Sequence, residues 1–334
     1  MDVFVQANKL SVISTDSFSI EPYLKKLYFL KKIVGNTPLT LIETVNGNSI
    51  HAKLEYFNPL SHSVKDRPAV CMFEGAIKSG KSNIKDAIFI EASSGNFGIA
   101  YGLAGQILGL KTMIVIPSVV GAETFNRIQK SGAIVEKTPD GYCPRRNERD
   151  GAIVKVKDLW LKDPKKVFLN QYNNAHNIRA HFEGTGPEIW QQSKGKVKMV
   201  VMGAGTGGSI IGIASYLKKM NPKIKCVAVQ PQMNHHIQGL RNYEESLEPE
   251  IIQKNRGLID DWIEVSDKDA FLATEMLWRR GFYVGTSSGL NFIATKRIAK
   301  KQKNLDIVTL FPDTGFNSFK LMQRNIFKRN EFKK

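Results

Sequence analysis

The chain is 334 residues long, 42% hydrophobic and 24% charged, the balance of an ordinary globular protein with room for one or two domains and a sizeable core. No run of about 20 apolar residues offers a membrane span, and residues 1–10 lack the basic-then-apolar layout of a secretory leader, so a cytoplasmic protein with no membrane contact is expected. The net charge of +17 favours anionic ligands. Yet the basic residues are scattered outside 300–303 and 328–334, and no zinc-finger spacing, RNA-recognition signature or basic zipper accompanies them, so no nucleic-acid partner is expected.

In chain order, 87–91 reads as a buried strand, 99–108 as a helix and 112–116 as the next strand. Residues 138–150, with two prolines and Asp140-Gly141, read as a loop. Further strands follow at 199–202, 226–230 and 307–310, with helices at 209–220, 267–280 and 290–303. This alternation predicts an α/β protein whose mostly parallel sheets are flanked by helices, with binding sites at the carboxyl ends of strands. Cys71, Cys143 and Cys226 are too few and too far apart for a zinc site or a disulfide framework. Cys226, in an apolar run, is expected in the core.

Four short motifs carry chemistry. In Asn58-Pro59-Leu60-Ser61-His62-Ser63-Val64-Lys65-Asp66-Arg67, a lysine follows a turn beside an acid and an arginine. If desolvated, such a lysine loses proton affinity and becomes a nucleophile toward carbonyls; otherwise the triplet is a solvated helix start. Ser93-Ser94-Gly95-Asn96-Phe97-Gly98 joins a strand to a helix, where small residues and free N–H groups suit a carboxylate or phosphate. In Gly203-Ala204-Gly205-Thr206-Gly207-Gly208-Ser209, four glycines within seven residues form a phosphate-cradle-like turn that matches neither the dinucleotide fingerprint nor the P-loop. Gly285-Thr286-Ser287-Ser288-Gly289 reads as another small-residue turn before a helix.

Together and in this order, the motifs resemble the β-family (fold type II) pyridoxal 5′-phosphate (PLP) enzymes, and within them the cysteine synthases and cystathionine β-synthases. The resemblance runs from Val34-Gly35-Asn36-Thr37-Pro38-Leu39 to Pro312-Asp313-Thr314-Gly315. It implies a two-domain tryptophan synthase β-like fold. An extension over 1–33 would precede a large cofactor-binding domain over 34–57 and 175–334, and a small substrate-binding domain would cover 58–174. It further implies that Lys65 carries the cofactor and acts as general base, that Asn96 bonds its ring oxygen, and that Ser287 faces its pyridine nitrogen. Gly205, Thr206, Gly207, Gly208 and Ser209 would hold its phosphate. Ser93, Ser94, Gly95, Phe97 and Gln171 would line the substrate site. No metal is implied, and members of the family are usually homodimers. A neutral serine in place of an acid at the ring nitrogen favours loss of a β leaving group followed by addition of a nucleophile.

The lysine motif and Asn96-Phe97-Gly98-Ile99-Ala100 look like archaeal O-phosphoserine sulfhydrylases, and Arg241 resembles their phosphate-reading residue. Arginine's planar, permanently charged fork suits phosphate. The leading expectation is therefore L-cysteine synthesis from O-phosphoserine and sulfide. O-acetylserine sulfhydrylase and cystathionine β-synthase activity are the alternatives within the family, together with β-replacement by an amine. A non-catalytic anion or nucleic-acid binder is the alternative outside it. His62, His235, His236 and the arginines of 143–149 are further candidates near the entrance.

Overall fold

The computed structural model describes residues 19–80, 83–118, 120–138 and 151–324. The described chain opens with helix α1 (Glu21–Ile33) and the hairpin β1 (Leu39–Val45) and β2 (Asn48–Leu54). There follow α2 (Asp66–Ser79), β3 (Ile88–Ala92), α3 (Asn96–Leu108), β4 (Lys111–Pro117), α4 (Ala122–Lys130), β5 (Ile134–Thr138), α5 (Gly151–Lys162) and β6 (Lys166–Phe168). After α6 (Ala175–Ala180), a π-helical turn (His181–Thr185) and α7 (Gly186–Gln192) come β7 (Met199–Gly203), α8 (Gly208–Met220) and β8 (Lys225–Pro231). The last elements are α9 (Glu250–Asn255), β9 (Asp261–Val265), α10 (Asp267–Arg279), α11 (Thr286–Lys301) and β10 (Asp306–Phe311).

The strands form two sheets, one in the order β5-β4-β3-β6 and one in the order β1-β2-β10-β7-β8-β9. Every pairing is parallel except the β1–β2 hairpin. This is the expected α/β architecture. The central strands are apolar on both faces because helices cover both, so Met199 to Met202 on β7 are all buried. Cys226 is buried on β8 as expected, and burial raises its thiol to about 12. Helix α1 packs Leu27 and Leu30 into the same apolar cluster as Phe73 of α2 and Tyr101 of α3. No described helix is long and apolar enough to cross a membrane.

In each sheet the chain leaves neighbouring strands in opposite directions at one point, and a crevice opens there at the strands' carboxyl ends. In the four-stranded sheet it lies beyond β3 and β6, where residues 93–96 and 169–171 emerge. In the six-stranded sheet it lies beyond β7 and β10, where 204–207 and 312–315 emerge. The lysine loop is stitched to this second crevice, because Val64 N donates to Pro312 O (2.8 Å) and Thr314 N to His62 O (3.3 Å).

One boundary differs from expectation. Residues 286–289 are the first turn of α11 rather than a turn ahead of it, so Ser287 is helical. The Thr286 N–H is satisfied by Ser318 Oγ (3.2 Å), a partner that local sequence does not announce.

Candidate active site

Lys65 is the N-cap residue of α2. Its loop is held by the next side chain: the Asp66 carboxylate accepts from Leu60 N (2.6 Å), Ser61 N (2.9 Å) and Ser61 Oγ. The Ser63 hydroxyl accepts from the Lys65 N–H at 3.1 Å. Arg67 is buried (4% exposed), not solvated. Its guanidinium bonds both oxygens of Glu55 (2.7 and 2.8 Å) and both of Glu188 (2.6 and 2.8 Å). The helix start is therefore nailed to the six-stranded side, and the intervening Lys65 is placed with it. Burial lowers the Lys65 amine; Asp313 pulls it up and Arg241 pushes it down, leaving it at about 8. A substantial neutral fraction at physiological pH makes it a competent nucleophile and base.

Lys65, Asn96, Gly205, Thr206, Ser209 and Ser287 line one cleft, open to solvent. The glycine turn is shaped by close approach. A Cβ at Gly205 would meet Gly239 O at 2.3 Å, and Gly207 has φ of +89° at the N-cap of α8. Tyr243 Oη donates to Gly205 O (2.8 Å), and Asn177 Nδ2 donates to Thr206 Oγ1 (3.1 Å). A Cβ at Gly208 would strike Asn177 and one at Gly207 would strike Ile252, so these two glycines serve packing while Thr206 and Ser209 reach the cleft. The turn presents the positive end of a 13-residue helix to the cleft.

The Ser93 hydroxyl accepts from Gly98 N (2.9 Å) and Gly95 N (3.4 Å), fixing the start of α3. Ser94 and Gly95 are partly exposed at the tip. Gln171, 3% exposed, donates from Nε2 to Ala92 O (2.8 Å) and from its backbone N–H to Glu91 Oε2 (3.1 Å), which locks the 170–171 loop beside Ser93. The Phe97 ring is 3% exposed and packs 5.5 Å from Tyr101 in the apolar core, because it follows Asn96 on the inner face of α3; it faces the core and is not part of the cleft lining.

Arg241 stands beside the cleft lining residue Leu240. Its Nη2 donates to Tyr172 Oη (3.0 Å), and its guanidinium carbon lies 4.6 Å from the Tyr172 ring centroid. His62 is exposed with φ of +53°. His236 Nδ1 is 2.8 Å from Asp267 Oδ2. Residues 139–150, including Cys143, Arg145, Arg146 and Arg149, lie outside the described residues, as do 1–18 and 325–334.

Sequence reasoning missed Asp313, Asn291 and Tyr172. Asp313 sits just past β10 in the cleft lining, and its carboxylate accepts from Asn96 Nδ2 (2.9 Å) and Ser287 Oγ (3.3 Å). Burial raises its carboxyl. Its place immediately after a central strand was the available signal. Asn291 Oδ1 also belongs to the lining and is buried without a hydrogen-bond partner.

These residues fit PLP. An aldehyde cofactor needs an amine of lowered pKa, which Lys65 provides, and its phosphate needs a helix N-terminus with small residues and hydroxyls, which 203–209 provide. Comparison with known proteins agrees. Residues 30–313 match the pyridoxal-phosphate dependent enzyme family. The chain is 40% identical over 309 residues to a cysteine synthase of Aquifex aeolicus, covering 88% of this chain and 91% of that protein. It is similar to the structure of an O-acetylserine dependent cystathionine beta-synthase from Helicobacter pylori (TM-score 0.78, 29% identity, 93% of this chain and 98% of that one). It is equally similar to a cysteine synthase from Entamoeba histolytica (TM-score 0.78, 30% identity, 93% and 92%). With the lysine, the phosphate cradle and the two-sheet cleft already in place, the chain belongs to the pyridoxal-phosphate dependent enzymes, among the cysteine synthases and cystathionine β-synthases that carry out β-replacement.

Proposed function

We propose that this enzyme makes L-cysteine from O-phospho-L-serine and sulfide, as the archaeal-type O-phosphoserine sulfhydrylases do. The observation that supports this reading is Arg241, a fixed cation beside the cleft, aligned by the Tyr172 hydroxyl and close enough to Lys65 to depress its amine. A guanidinium there would bind the phosphate of the donor and stabilise it as it departs. An acetyl ester offers that guanidinium no phosphate to bind, so the two donors should be discriminated there.

When bound, the cofactor supplies an electron-withdrawing ring that acidifies the α-proton of an amino acid and lets its β-substituent leave. Lys65 would anchor it and would take up the α-proton at Nζ. Asn96, with its amide N–H groups, is assigned to the ring oxygen, and Ser287 to the ring nitrogen. The turn from Gly205 to Ser209 holds the phosphate. Ser93, Ser94 and Gly95, backed by Gln171, receive the substrate carboxylate through backbone N–H groups and hydroxyls. On this reading the chain divides at 57/58 and 174/175, acts in the cytoplasm and pairs as a homodimer.

O-acetylserine is the second reading, favoured by the Helicobacter pylori relative whose name specifies that donor. The two are separated by following cysteine formation with each donor in wild type and Arg241→Ala. The phosphoserine reading expects a loss of 10²-fold or more in kcat/KM for O-phosphoserine, about the value of a charged hydrogen-bonded contact, with O-acetylserine turnover changed only a few-fold. Equal losses, or wild-type turnover of O-acetylserine alone, would reject it.

A further inference from the structure

The Asn96 amide is not oriented by its own loop. Its Nδ2 donates to Asp313 Oδ2 (2.9 Å), and its Oδ1 accepts from Asn317 Nδ2 (2.5 Å). Asn317 Nδ2 also approaches Asp313 Oδ2 at 3.4 Å, and Asn317 Oδ1 accepts from Arg127 Nη1. The two ends of this chain of bonds are one-sided. A guanidinium can only donate, so Asn317 must turn its oxygen to Arg127 and its NH₂ toward Asn96. A carboxylate oxygen already receiving one amide can only accept, so Asn96 must turn its NH₂ to Asp313. Both constraints select the same orientation of Asn96. The flipped amide would set oxygen against carboxylate at one end and NH₂ against NH₂ at the other. With Oδ1 and one Nδ2 hydrogen engaged, the second Nδ2 hydrogen is the group that Asn96 can offer to the cleft it lines.

Arg127 lies on α4, beside the four-stranded sheet, whereas Asn317 and Asp313 follow β10 of the six-stranded sheet. A second contact joins the same two segments, Lys320 Nζ to Glu123 Oε2 at 3.3 Å. We infer that Arg127 and Asn317 are positioning residues that act through Asn96, holding its amide as a donor to the cleft and tying that orientation to the placement of one sheet against the other. This inference rests on the reading of Asn96 as a cofactor contact.

The test titrates PLP into the full chain stripped of cofactor, following the quenching of tryptophan fluorescence, so that affinity is read apart from turnover. Arg127→Met should weaken PLP binding about tenfold, the scale of one well-made hydrogen bond, and Arg127→Lys, which keeps a donor-only group, should recover most of it. The Arg127→Met/Asn96→Ala double variant should bind PLP no more weakly than Asn96→Ala alone, because the second residue acts only through the first. Asn317→Asp, which sets an acceptor against Asn96 Oδ1, should weaken binding at least as much and carries the test if Arg127→Met does not fold. Wild-type affinity in both relay variants, or full additivity in the double variant, overturns the relay alone. Unchanged affinity in Asn96→Ala overturns both the cofactor contact and the relay.

Discussion

At Lys65, burial lowers the amine, the Asp313 carboxylate opposes that fall, and the Arg241 cation adds to it, with the balance at about 8. The neutral amine is the reactive form. The rate at which cofactor-stripped protein takes up PLP should therefore rise through pH 8, where an exposed lysine would respond only above about pH 10. Arg241→Ala should move this midpoint upward and Asp313→Asn downward, because each removes one charge that acts on the amine. Stopped-flow absorbance over pH 6.5–10 would check both shifts; a midpoint indifferent to either variant would place that charge too far away to matter. Lys65, Asn96, Ser287 and the glycine turn were named through the family resemblance that the four motifs carry together, and the structure brings them to one cleft. Asp313 was not, since a lone aspartate in Pro-Asp-Thr-Gly reads as an ordinary turn until β10 delivers it to the cleft. The side of α3 that Phe97 occupies was not legible either, because adjacency to Asn96 in sequence says nothing about it.

Helix α2 begins where a buried ion network ends. Arg67 bridges Glu55 and Glu188, and Lys53, fully buried on β2, reaches Glu188 Oε2 at 2.6 Å and Gln192 Oε1 at 2.8 Å. Removing one partner strands the others without water. Glu55→Ala should cost about 3–5 kcal/mol of unfolding free energy, measured by urea denaturation, far more than an exposed pair such as Lys254–Glu250 is worth. Burial alone would raise the Glu188 carboxyl, but Arg67 and Lys53 hold it down at about 2. Its folded value lies below the ordinary 4.5, so its stabilisation is complete above that pH and is lost as pH falls toward 2. Glu188→Gln should be less stable at neutral pH, with a shallower loss between pH 4.5 and 2; an unchanged acid profile would remove Glu188 from the cause of acid unfolding. The Lys-Asp-Arg triplet reads locally as a solvated helix start, and only its burial against β2 and α7 reverses that. The start of α11 makes the same point: Thr-Ser-Ser-Gly is poor helix sequence, and Ser318 supplies the missing acceptor from a distant segment.

Each sheet has its own switch point, and the molecule places the two against each other so that the residue capping α2, together with α3, β7, α8, α11 and β10, contributes to one cleft. A ligand bound there contacts both sheets and is absent from the unfolded chain. Removing PLP should lower the melting temperature by several degrees, and adding it back should raise the temperature with its concentration, as mass action requires. Differential scanning calorimetry of stripped and reloaded protein would check this; superimposable melts would mean that the cofactor contacts do not span the folding unit. The relay from Arg127 to Asn96 belongs to this scale, since it exists only when α4 and the segment after β10 are brought together.

From sequence alone came the parallel α/β class and the order of the four motifs, because apolar runs bounded by small-residue turns are local signals that survive without any knowledge of packing; Lys65 was singled out through the family resemblance that this order carries. The tertiary structure alone decided which charges are buried, how far Lys65 is lowered, that Arg241 stands on Tyr172, and that Asp313 and Asn317 hold Asn96. Those outcomes depend on desolvation and on contacts between residues far apart in the chain, such as Asn96 and Asn317 at 221 positions, and a linear pattern carries no measure of either.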